Sequence, residues 1–369
     1  MKLMKTTEAV GQVLCHDITQ IIPGVKKDAV FRKGHIITKE DIPVLLSVGK
    51  DTIYIWENDE TMMHENEAAE VLYRMSACGT NSNEADAEGH CEAAESGVFG
   101  GTTSKMHPSP VKEGKIEVIA DCDGLLKVDS KKLKKVNSFG EMMIATRHGN
   151  TTVKKGDKLA GTRIIPLVIK KDKLEAASHI CDDGPILDIK PFVVRKAAII
   201  TTGNEVYHGR IQDAFTPVIE KKIAEFGAHM MFHEVFDDDD QKITDGCLRA
   251  IEAGAEIVFC TGGMSVDPDD KTPLAIKNTG ARIVSYGSPV LPGAMFLLSY
   301  YDAGDRLVPI CGLPGCAMYN KRTIFDIVLP RLMACDMILA DELAGLGEGG
   351  LCLNCDVCTF PNCGFGKGF

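Results

Sequence analysis

Two glycine turns, each directly after a short apolar run, constrain the fold of this chain more than any other feature. The run Glu256 to Cys260 leads into TGGMSVDPDD at residues 261–270, and the run Leu307 to Cys311 leads into GLPG at residues 312–315. A buried strand that ends in a glycine turn before a helix presents free backbone N–H groups to an anion. We therefore predict that each turn cradles a phosphate. The candidate binding residues are Thr261, Gly262, Gly263, Ser265, Gly312, Pro314 and Gly315.

The residues after Arg195 alternate between strand-like and helix-like patterns. Such alternation predicts a largely parallel sheet that helices cover on both faces, with the ligand beyond the carboxyl ends of the strands. The last helix is expected to begin near Cys316 and to end or kink at Pro330, because proline cannot donate a helical hydrogen bond. The other predicted elements are strands at Ala197–Thr201, His229–Val235 and Glu256–Cys260, and helices from Asp213–Thr216 to Gly227 and over Gln241–Ala253.

Acidic residues follow two of the predicted strands. Asp267, Asp269 and Asp270 supply carboxylate oxygens that suit Mg²⁺. Asp270 also suits a helix cap, which leaves Asp267 and Asp269 as the stronger metal candidates. A third turn, TTGNE at residues 201–205, contains Gly203 and Glu205. Glu205 can orient a ribose, a pterin or a metal-bound water, or it can be a solvated loop acid.

The length of 369 residues predicts more than one domain. Short β-like runs at Lys115–Ala120, Met142–Thr146 and Ile164–Ile169 indicate a β-rich module. A helix is expected around Glu67 to Met75, followed by a flexible stretch. The predicted segments are a mixed amino-terminal segment at 1–57, an acidic helix and flexible linker at 58–110, the β-rich module at 111–190, the α/β domain at 191–337 and a cysteine-rich tail at 338–369.

Charge and hydropathy exclude several classes of partner. The formal net charge is −11, and no basic stripe carries interleaved aromatic residues, so nucleic acid is not an expected ligand. No apolar run approaches the roughly 20 residues that a bilayer requires, and the first residues lack the apolar core of a signal peptide. We therefore expect a cytoplasmic protein that does not contact a membrane.

Three of the motifs together resemble a known family. TTGNE, FCTGGMSVDPDD and GLPG, in this order over about residues 195–335, resemble the molybdopterin-binding domain shared by molybdopterin adenylyltransferase, molybdopterin molybdotransferase and gephyrin. Residues 11–56 and the β-rich module resemble the additional domains of molybdotransferase-type proteins more loosely. The resemblance implies a three-layer α/β/α domain that binds molybdopterin or its adenylylated form. It also implies Mg²⁺, which aids adenylyl transfer or hydrolysis with molybdate insertion.

The resemblance assigns roles to the candidate residues by position. Glu205 matches the acid of the family's first turn. The family's usual asparagine after the second glycine turn is Cys316 here, and Asp267 replaces its usual glycine. The other assigned positions are Gly262, Gly263 and Ser265 at the pterin phosphate, Asp267, Asp269 and Asp270 at the metal-binding or catalytic acid, and Gly312, Pro314 and Gly315 on the opposite wall.

These assignments predict a molybdotransferase-like enzyme of molybdenum cofactor biosynthesis, acting on molybdopterin adenylate and molybdate and working as a homodimer. The altered residues keep a second hypothesis open, a non-catalytic molybdopterin carrier, insertion chaperone or sensor that serves a molybdenum hydroxylase. The Asp-Pro-Asp-Asp run also resembles the related domain of nicotinamide-nucleotide-recycling proteins. A nucleotide pyrophosphatase is therefore a third hypothesis.

Four of the fourteen cysteines crowd the carboxyl-terminal tail. They follow the pattern Cys352-x2-Cys355-x2-Cys358-x4-Cys363. Three cysteines at successive x2 spacings suit an iron–sulfur cluster, whose irons lie close together. Zinc sites more often use two separated Cys-x2-Cys pairs. The sequence predicts a metal centre, with an iron–sulfur cluster favoured over Zn²⁺.

Overall fold

The computed structural model describes residues 2–22, 26–55, 59–78, 105–265, 267 and 270–368. The chain divides into two compact units. The first consists of Met1–Asp121, Val128–Arg147 and Lys155–Asp188, and the second of Cys122–Lys127, His148–Lys154 and Ile189–Phe369.

Antiparallel pairing dominates the first 190 residues. The strands are β1 (Lys2–Lys5), β2 (Ile18–Ile22), β3 (Lys26–Phe31), β4 (Thr52–Ile55), β5 (Met62–His64), β6 (Met106–Pro108), β7 (Lys115–Ala120), β8 (Gly124–Val128), β9 (Met142–Thr146), β10 (Thr151–Val153), β11 (Lys158–Ile164), β12 (Val168–Lys170) and β13 (Leu187–Lys190). The helices are α1 (Asp41–Ser47), α2 (Glu65–Ala77), α3 (Ser130–Ser138) and α4 (Lys171–Ser178). The largest sheet has the order β6-β7-β11-β9, and α2 packs against β7 and β11.

The β-rich character of this region is confirmed, with one difference. The strands predicted at Lys115–Ala120 and Met142–Thr146 are present, whereas the strand predicted at Ile164–Ile169 is wrong. There β11 ends at Ile164 and β12 begins at Val168, because Pro166 lies between them and cannot donate to a ladder. The predicted flexible linker falls largely on residues 79–104, outside the described residues.

The second unit contains a six-stranded sheet. Its strands are β14 (Lys196–Thr202), β15 (His229–Phe236), β16 (Ile257–Thr261), β17 (Arg282–Tyr286), β18 (Leu297–Asp302) and β19 (Leu307–Leu313). Its helices are α5 (Asn204–Tyr207), α6 (Phe215–Ala224), α7 (Asp240–Glu252), α8 (Thr272–Asn278), α9 (Ile324–Met333) and α10 (Ala340–Gly345). The sheet order is β15-β14-β16-β19-β18-β17. Among the described residues, no helix is both long and apolar enough to cross a bilayer.

Helices cover both faces of this sheet, as predicted. Successive strand residues point to opposite faces. Phe259 of β16 lies in a core with Ile219 of α6 and Phe325 of α9, whereas its neighbour Cys260 lies in a second core with Cys247 of α7. The three-layer α/β/α architecture is confirmed.

Two details of the sheet and its helices differ from the prediction. Strands β17 and β18 were not predicted, and β18 pairs antiparallel with both β17 and β19, so the sheet is mixed. The last helix begins at Ile324 rather than near Cys316, because Thr323 and Asp326 form a capping box there. Pro330 lies inside this helix, which continues to Met333.

The register of the parallel strands places all three predicted turns at one edge of the sheet. Thr201 of β14 pairs with Thr261 of β16, and Thr261 pairs with Leu313 of β19. The chain therefore leaves these three neighbouring strands at the same level. The turns that follow them lie side by side.

Candidate functional site

A cavity of about 660 Å³ lies at this edge of the sheet. It is large enough for a small-molecule ligand. Six predicted residues line it: Gly262, Gly263, Ser265, Asp270, Pro314 and Gly315. The lining also includes Phe215, Met264, residues 291–295, Leu313, Cys316, Met318, Tyr319 and Asn320.

The first glycine loop is held from below by threonine hydroxyl groups. The Thr202 hydroxyl donates to the carbonyl oxygen of Thr261 at 3.1 Å and lies 3.0 Å from the Thr272 hydroxyl. The Thr272 hydroxyl donates to the carbonyl oxygen of Gly262 at 2.9 Å. These buried contacts fix the height of the loop above the end of β16.

Gly262 is required by the fold itself. Its φ is +82°, and a Cβ built there would lie 2.1 Å from the carbonyl oxygen of Thr202. Gly263 has a φ of +56°, and its Cβ would lie 2.8 Å from the Thr272 hydroxyl. These two glycines thus have a structural explanation that is independent of any ligand.

Several polar groups of the two loops have no partner in the described part of the chain. The N–H groups of Gly263 and Ser265 donate to no described residue, nor do those of Gly315 and Cys316 on the second loop. The Thr261 hydroxyl is buried and has no hydrogen-bond partner. A buried polar group without a partner calls for an explanation, which applies to the Thr261 hydroxyl, whereas the N–H groups of the exposed Ser265 and Gly315 are open to water or to a ligand.

The two glycines of the second loop differ in environment. Gly315 is exposed on the cavity wall, and nothing lies within 4 Å of where its Cβ would stand. Gly312, predicted to line the site, is instead buried inside β19, where its Cβ would lie 2.5 Å from the Met264 side chain. The strand continues past Cys311 because Gly312 pairs with Leu297 of β18 and Leu313 pairs with Thr261 of β16.

The predicted acids occupy different positions. Asp270 lines the cavity, and Asp267 is exposed beside it without forming part of the wall. Asp269 lies outside the described residues. Within the described ranges, no three histidine, cysteine or acidic side chains lie close enough together to hold a metal ion.

The TTGNE turn at residues 201–205 follows the neighbouring strand β14 but does not line the cavity. Gly203 is buried, and the Glu205 carboxylate folds back to 3.2 Å from where a Gly203 Cβ would stand. Glu205 itself is exposed. The N–H of Asn204 donates to Asp238 at 3.1 Å, which brings the acidic residues after β15 to the same edge of the sheet.

A polar cluster supports the cavity wall at Phe215. Asp213 accepts hydrogen bonds from the N–H of Phe215 at 2.8 Å and from the hydroxyl groups of Thr201 and Thr216. Burial opposes ionisation of Asp213, but these hydrogen bonds outweigh it and hold the pKa of the carboxyl below its ordinary value. A charged, fully bonded Asp213 therefore fixes the start of α6.

A second pKa shift occurs at Tyr286, which contacts the first glycine loop. The Tyr286 hydroxyl donates to the carbonyl oxygen of Met264 at 3.2 Å. Burial and the negative charge of Asp270 raise the pKa of Tyr286. Burial likewise raises the pKa of the Cys316 thiol, which stays protonated at neutral pH. A neutral thiol on the cavity wall is a weak hydrogen-bonding group.

Sequence reasoning missed several residues that line the cavity. Phe215 is the first residue of α6, and Met318 and Tyr319 fall within the helix predicted from Cys316, which begins later. The segment 291–295 also lines the cavity. Its Pro-Gly pair was the available signal.

The structure contains two further cavities of interest. A polar cavity of about 940 Å³ lies within the first unit, and none of the predicted site residues lines it. A cavity of about 220 Å³ in the second unit is lined by all four tail cysteines, Cys352, Cys355, Cys358 and Cys363.

The second unit is thus an α/β domain with a cavity at the carboxyl ends of its parallel strands. Residues 198–334 match the family model described as "Probable molybdopterin binding domain". These residues form a domain of the molybdopterin-binding family, as the sequence motifs indicated. Residues 3–57 match a domain of unknown function.

Individual relatives are distant. A molybdopterin adenylyltransferase of Pyrococcus furiosus is 26% identical over 131 residues, which are 32% of this chain and 77% of that protein. A molybdopterin molybdenumtransferase of Nostoc is 23% identical over 197 residues, 52% of this chain and 42% of that protein. The crystal structure of the tungsten cofactor synthesizing protein MoaB from Pyrococcus furiosus is 18% identical, covers 38% of this chain and 88% of that one, and has a TM-score of 0.30. The chain also matches a competence-damage inducible protein of Bacillus velezensis at 29% identity over 90 residues, 24% of this chain and only 21% of that protein's length.

Proposed function

We propose that the second unit binds molybdopterin, or its adenylylated form, through the terminal phosphate. The observation that carries this proposal is the pair of loops that face one cavity with unpartnered N–H groups, at Gly263 and Ser265 on one side and Gly315 and Cys316 on the other. Backbone N–H groups bind phosphate oxygens without a charged side chain. The match of residues 198–334 to the family supports a pterin as the bearer of that phosphate.

We further propose a molybdotransferase-like reaction. Molybdopterin adenylate would bind with its phosphoanhydride near the first glycine loop. A water molecule would attack the phosphoanhydride, so that AMP leaves and the pterin keeps its own phosphate, while molybdate binds the two pterin sulfurs and loses oxygen as water. The N–H groups of both loops would hold the pterin phosphate while the bond to AMP breaks, and they would stabilise the negative charge that collects on it. Among the described acids of the first loop, Asp270 is the one that lines the cavity.

The residues of the first loop fit Mg²⁺ by their chemistry. Asp270 and Asp267 supply carboxylate oxygens, which hard cations prefer. Mg²⁺ usually binds through one or two carboxylates and completes its shell with water and substrate phosphates. When bound, it would neutralise phosphate charge. The exposed Glu205 at the neighbouring turn would assist by orienting water or the pterin.

The test is the release of AMP from molybdopterin adenylate in the presence of molybdate and Mg²⁺. The purified chain should release AMP in proportion to the cofactor formed. Asp270→Asn should lower this rate by roughly a hundredfold and change pterin affinity little. Asp305→Asn, an exposed acid on a loop between β18 and β19, is the matched control and should behave as wild type. Equal losses of rate and affinity in Asp270→Asn would contradict a role for Asp270 in the reaction.

A non-catalytic carrier is the second candidate, and two observations favour it. Cys316 replaces the family's amide with a neutral thiol on the cavity wall, and Glu205 lies outside that wall. A carrier would bind molybdopterin adenylate without releasing AMP and would pass the pterin to a molybdenum hydroxylase.

Phosphate release from ADP-ribose, coupled to a phosphatase, would instead support the pyrophosphatase hypothesis. Analytical ultracentrifugation tests the predicted homodimer.

A further inference from the structure

The carboxyl-terminal cysteines gather around one cavity although the tail has little regular structure. Cys352, Cys355, Cys358 and Cys363 all line the cavity of about 220 Å³, and all four are free thiols. Cys352 and Cys363 pack partly buried against the core of the second unit, while Cys355 and Cys358 are exposed. The fold therefore places all four tail cysteines on the wall of one cavity.

The rest of this cavity suits a negatively charged group. Its wall combines apolar side chains, Phe360 and Phe365 among them, with two cations, Lys321 and Arg322. The Arg322 guanidinium stands 5.1 Å from the centre of the Phe360 ring and donates to Asp326 at 2.9 Å, which fixes its position. Four thiolates around a metal centre carry net negative charge, so fixed cations beside them are stabilising.

Backbone hydrogen bonds pin both ends of the cysteine run. At one end, the N–H of Cys352 donates to the carbonyl oxygen of Leu291 and the N–H of Leu291 to that of Gly350, each at 2.8 Å. At the other end, the N–H of Gly366 donates to the carbonyl oxygen of Gly349 at 3.0 Å. The segment between these hydrogen-bonded ends contains no helix or strand and carries the two exposed cysteines.

We propose that Cys352, Cys355, Cys358 and Cys363 bind a [4Fe–4S] cluster in this cavity. No three of these thiols, as described, are close enough to hold a metal ion. Ligation therefore draws Cys355 and Cys358 inward on the unstructured run, while Cys352 and Cys363 keep their places on the core. Three cysteines within seven residues reach three corners of a cubane, and the distant fourth reaches the last.

Cavity size and ligand spacing separate this centre from zinc. A single Zn²⁺ at the middle of a thiolate tetrahedron leaves no interior space to fill. A four-iron core needs a volume of its own, and the cavity that the four cysteines help to line has about 220 Å³. The proposal depends on the tail alone, and its tests need no pterin, so it stands or fails separately from the proposed function.

The first experiment is anaerobic reconstitution of the full chain with ferric iron, sulfide and dithiothreitol, followed by desalting. We expect about four iron and four sulfide per chain and a broad visible absorption that bleaches on reduction. Wild-type protein that retains no iron and sulfide after this treatment overturns the proposal. Stoichiometric Zn²⁺ that resists exchange for iron overturns it as well, because the site would then be a zinc site.

Cysteine variants locate the cluster. Cys355→Ser and Cys358→Ser change exposed thiols, so the fold should survive, and each should lose most of the iron and the visible absorption. Cys335→Ser is the matched control, because Cys335 is an exposed cysteine of the same unit outside this cavity, and it should keep the cluster. Equal retention in all three variants would overturn the assignment.

Alkylation with iodoacetamide and mass spectrometry give a readout that does not depend on variants. In the reconstituted wild type, the four tail cysteines should be protected and Cys335 should react as before. Protection that is equal before and after reconstitution would contradict ligation by these thiols.

Discussion

Replacement of Gly315 by alanine separates ligand binding from folding at the candidate site. Gly315 lies on the cavity wall with an ordinary backbone conformation and open space where a Cβ would stand. The folded chain can therefore accept the methyl group, and the variant should be as stable as wild type or more stable by up to about 1 kcal/mol. The same methyl group would occupy space that a phosphate needs to reach the N–H groups of Gly315 and Cys316.

The expected loss of affinity follows from the contacts removed. One hydrogen bond to a charged group contributes about 1.5–3 kcal/mol, which corresponds to roughly a tenfold to hundredfold increase in Kd. Gly262→Ala should behave differently, because its Cβ would lie 2.1 Å from a carbonyl oxygen at a φ of +82°. That variant should lose more than about 2 kcal/mol of unfolding free energy before any ligand is added.

The assay pairs urea unfolding with a fluorescence titration of molybdopterin, released anaerobically from a molybdenum enzyme. Gly161→Ala in β11 is a control, because Gly161 also has an ordinary conformation and room for a Cβ, and it should change neither quantity. If Gly315→Ala binds the pterin as tightly as wild type, the second loop does not contact the ligand. If it unfolds as readily as Gly262→Ala, our account of the loop is wrong.

Three further predictions concern stability and the cavity wall. Asp336 is buried; burial opposes its ionisation, but Lys127, Lys190 and Arg331 lower the pKa of its carboxyl to about 2. Because the carboxylate has a lower pKa in the folded state, its ionised form stabilises the protein above a pH of about 4, and this stabilisation is lost as the pH falls toward 2. In urea unfolding, Asp336→Asn should therefore cost about 2 kcal/mol at pH 7 and much less near pH 2. A difference in unfolding free energy that does not change with pH would contradict this. Cys316→Asn should raise AMP release by roughly tenfold if the thiol limits the reaction, and an unchanged rate would show that it does not. Thr272→Val should lower the free energy of unfolding by about 1 kcal/mol and weaken pterin binding, because it removes the hydrogen bond from the Thr272 hydroxyl to the carbonyl oxygen of Gly262. Wild-type values in both the thermal melt and the pterin titration would contradict this role of Thr272.

The parts of the fold that depend on local pattern could be predicted from the sequence. The apolar run before Thr261 marks β16 because continuous apolar runs with glycine at the end are typical of buried parallel strands. Strand β17 was missed because much of Arg282–Tyr286 is exposed and its pairing is set by β18 alone. Strand β18 is mostly buried, so its apolar residues were an available signal that the sequence reasoning did not use. The start of α9 was available from Thr323 and Asp326, but the apolar residues after Gly315 suggested an earlier helix.

The site was predictable as a location and less so as a set of side chains. The strand ends fixed where the turns meet, since parallel neighbours end at the same edge. Sequence could not tell that β18 would hold Gly312 inside β19, nor that the Glu205 carboxylate would fold back over Gly203. Both outcomes depend on contacts between segments far apart in the chain.

Leu291 connects the cavity at the strand ends to the carboxyl-terminal tail. It lines that cavity, and its backbone N–H and carbonyl groups are hydrogen-bonded to Gly350 and Cys352 of the tail. A displacement of the tail is therefore passed to the cavity border through a single residue. Substitutions that shift the tail should accordingly also change the shape of the cavity.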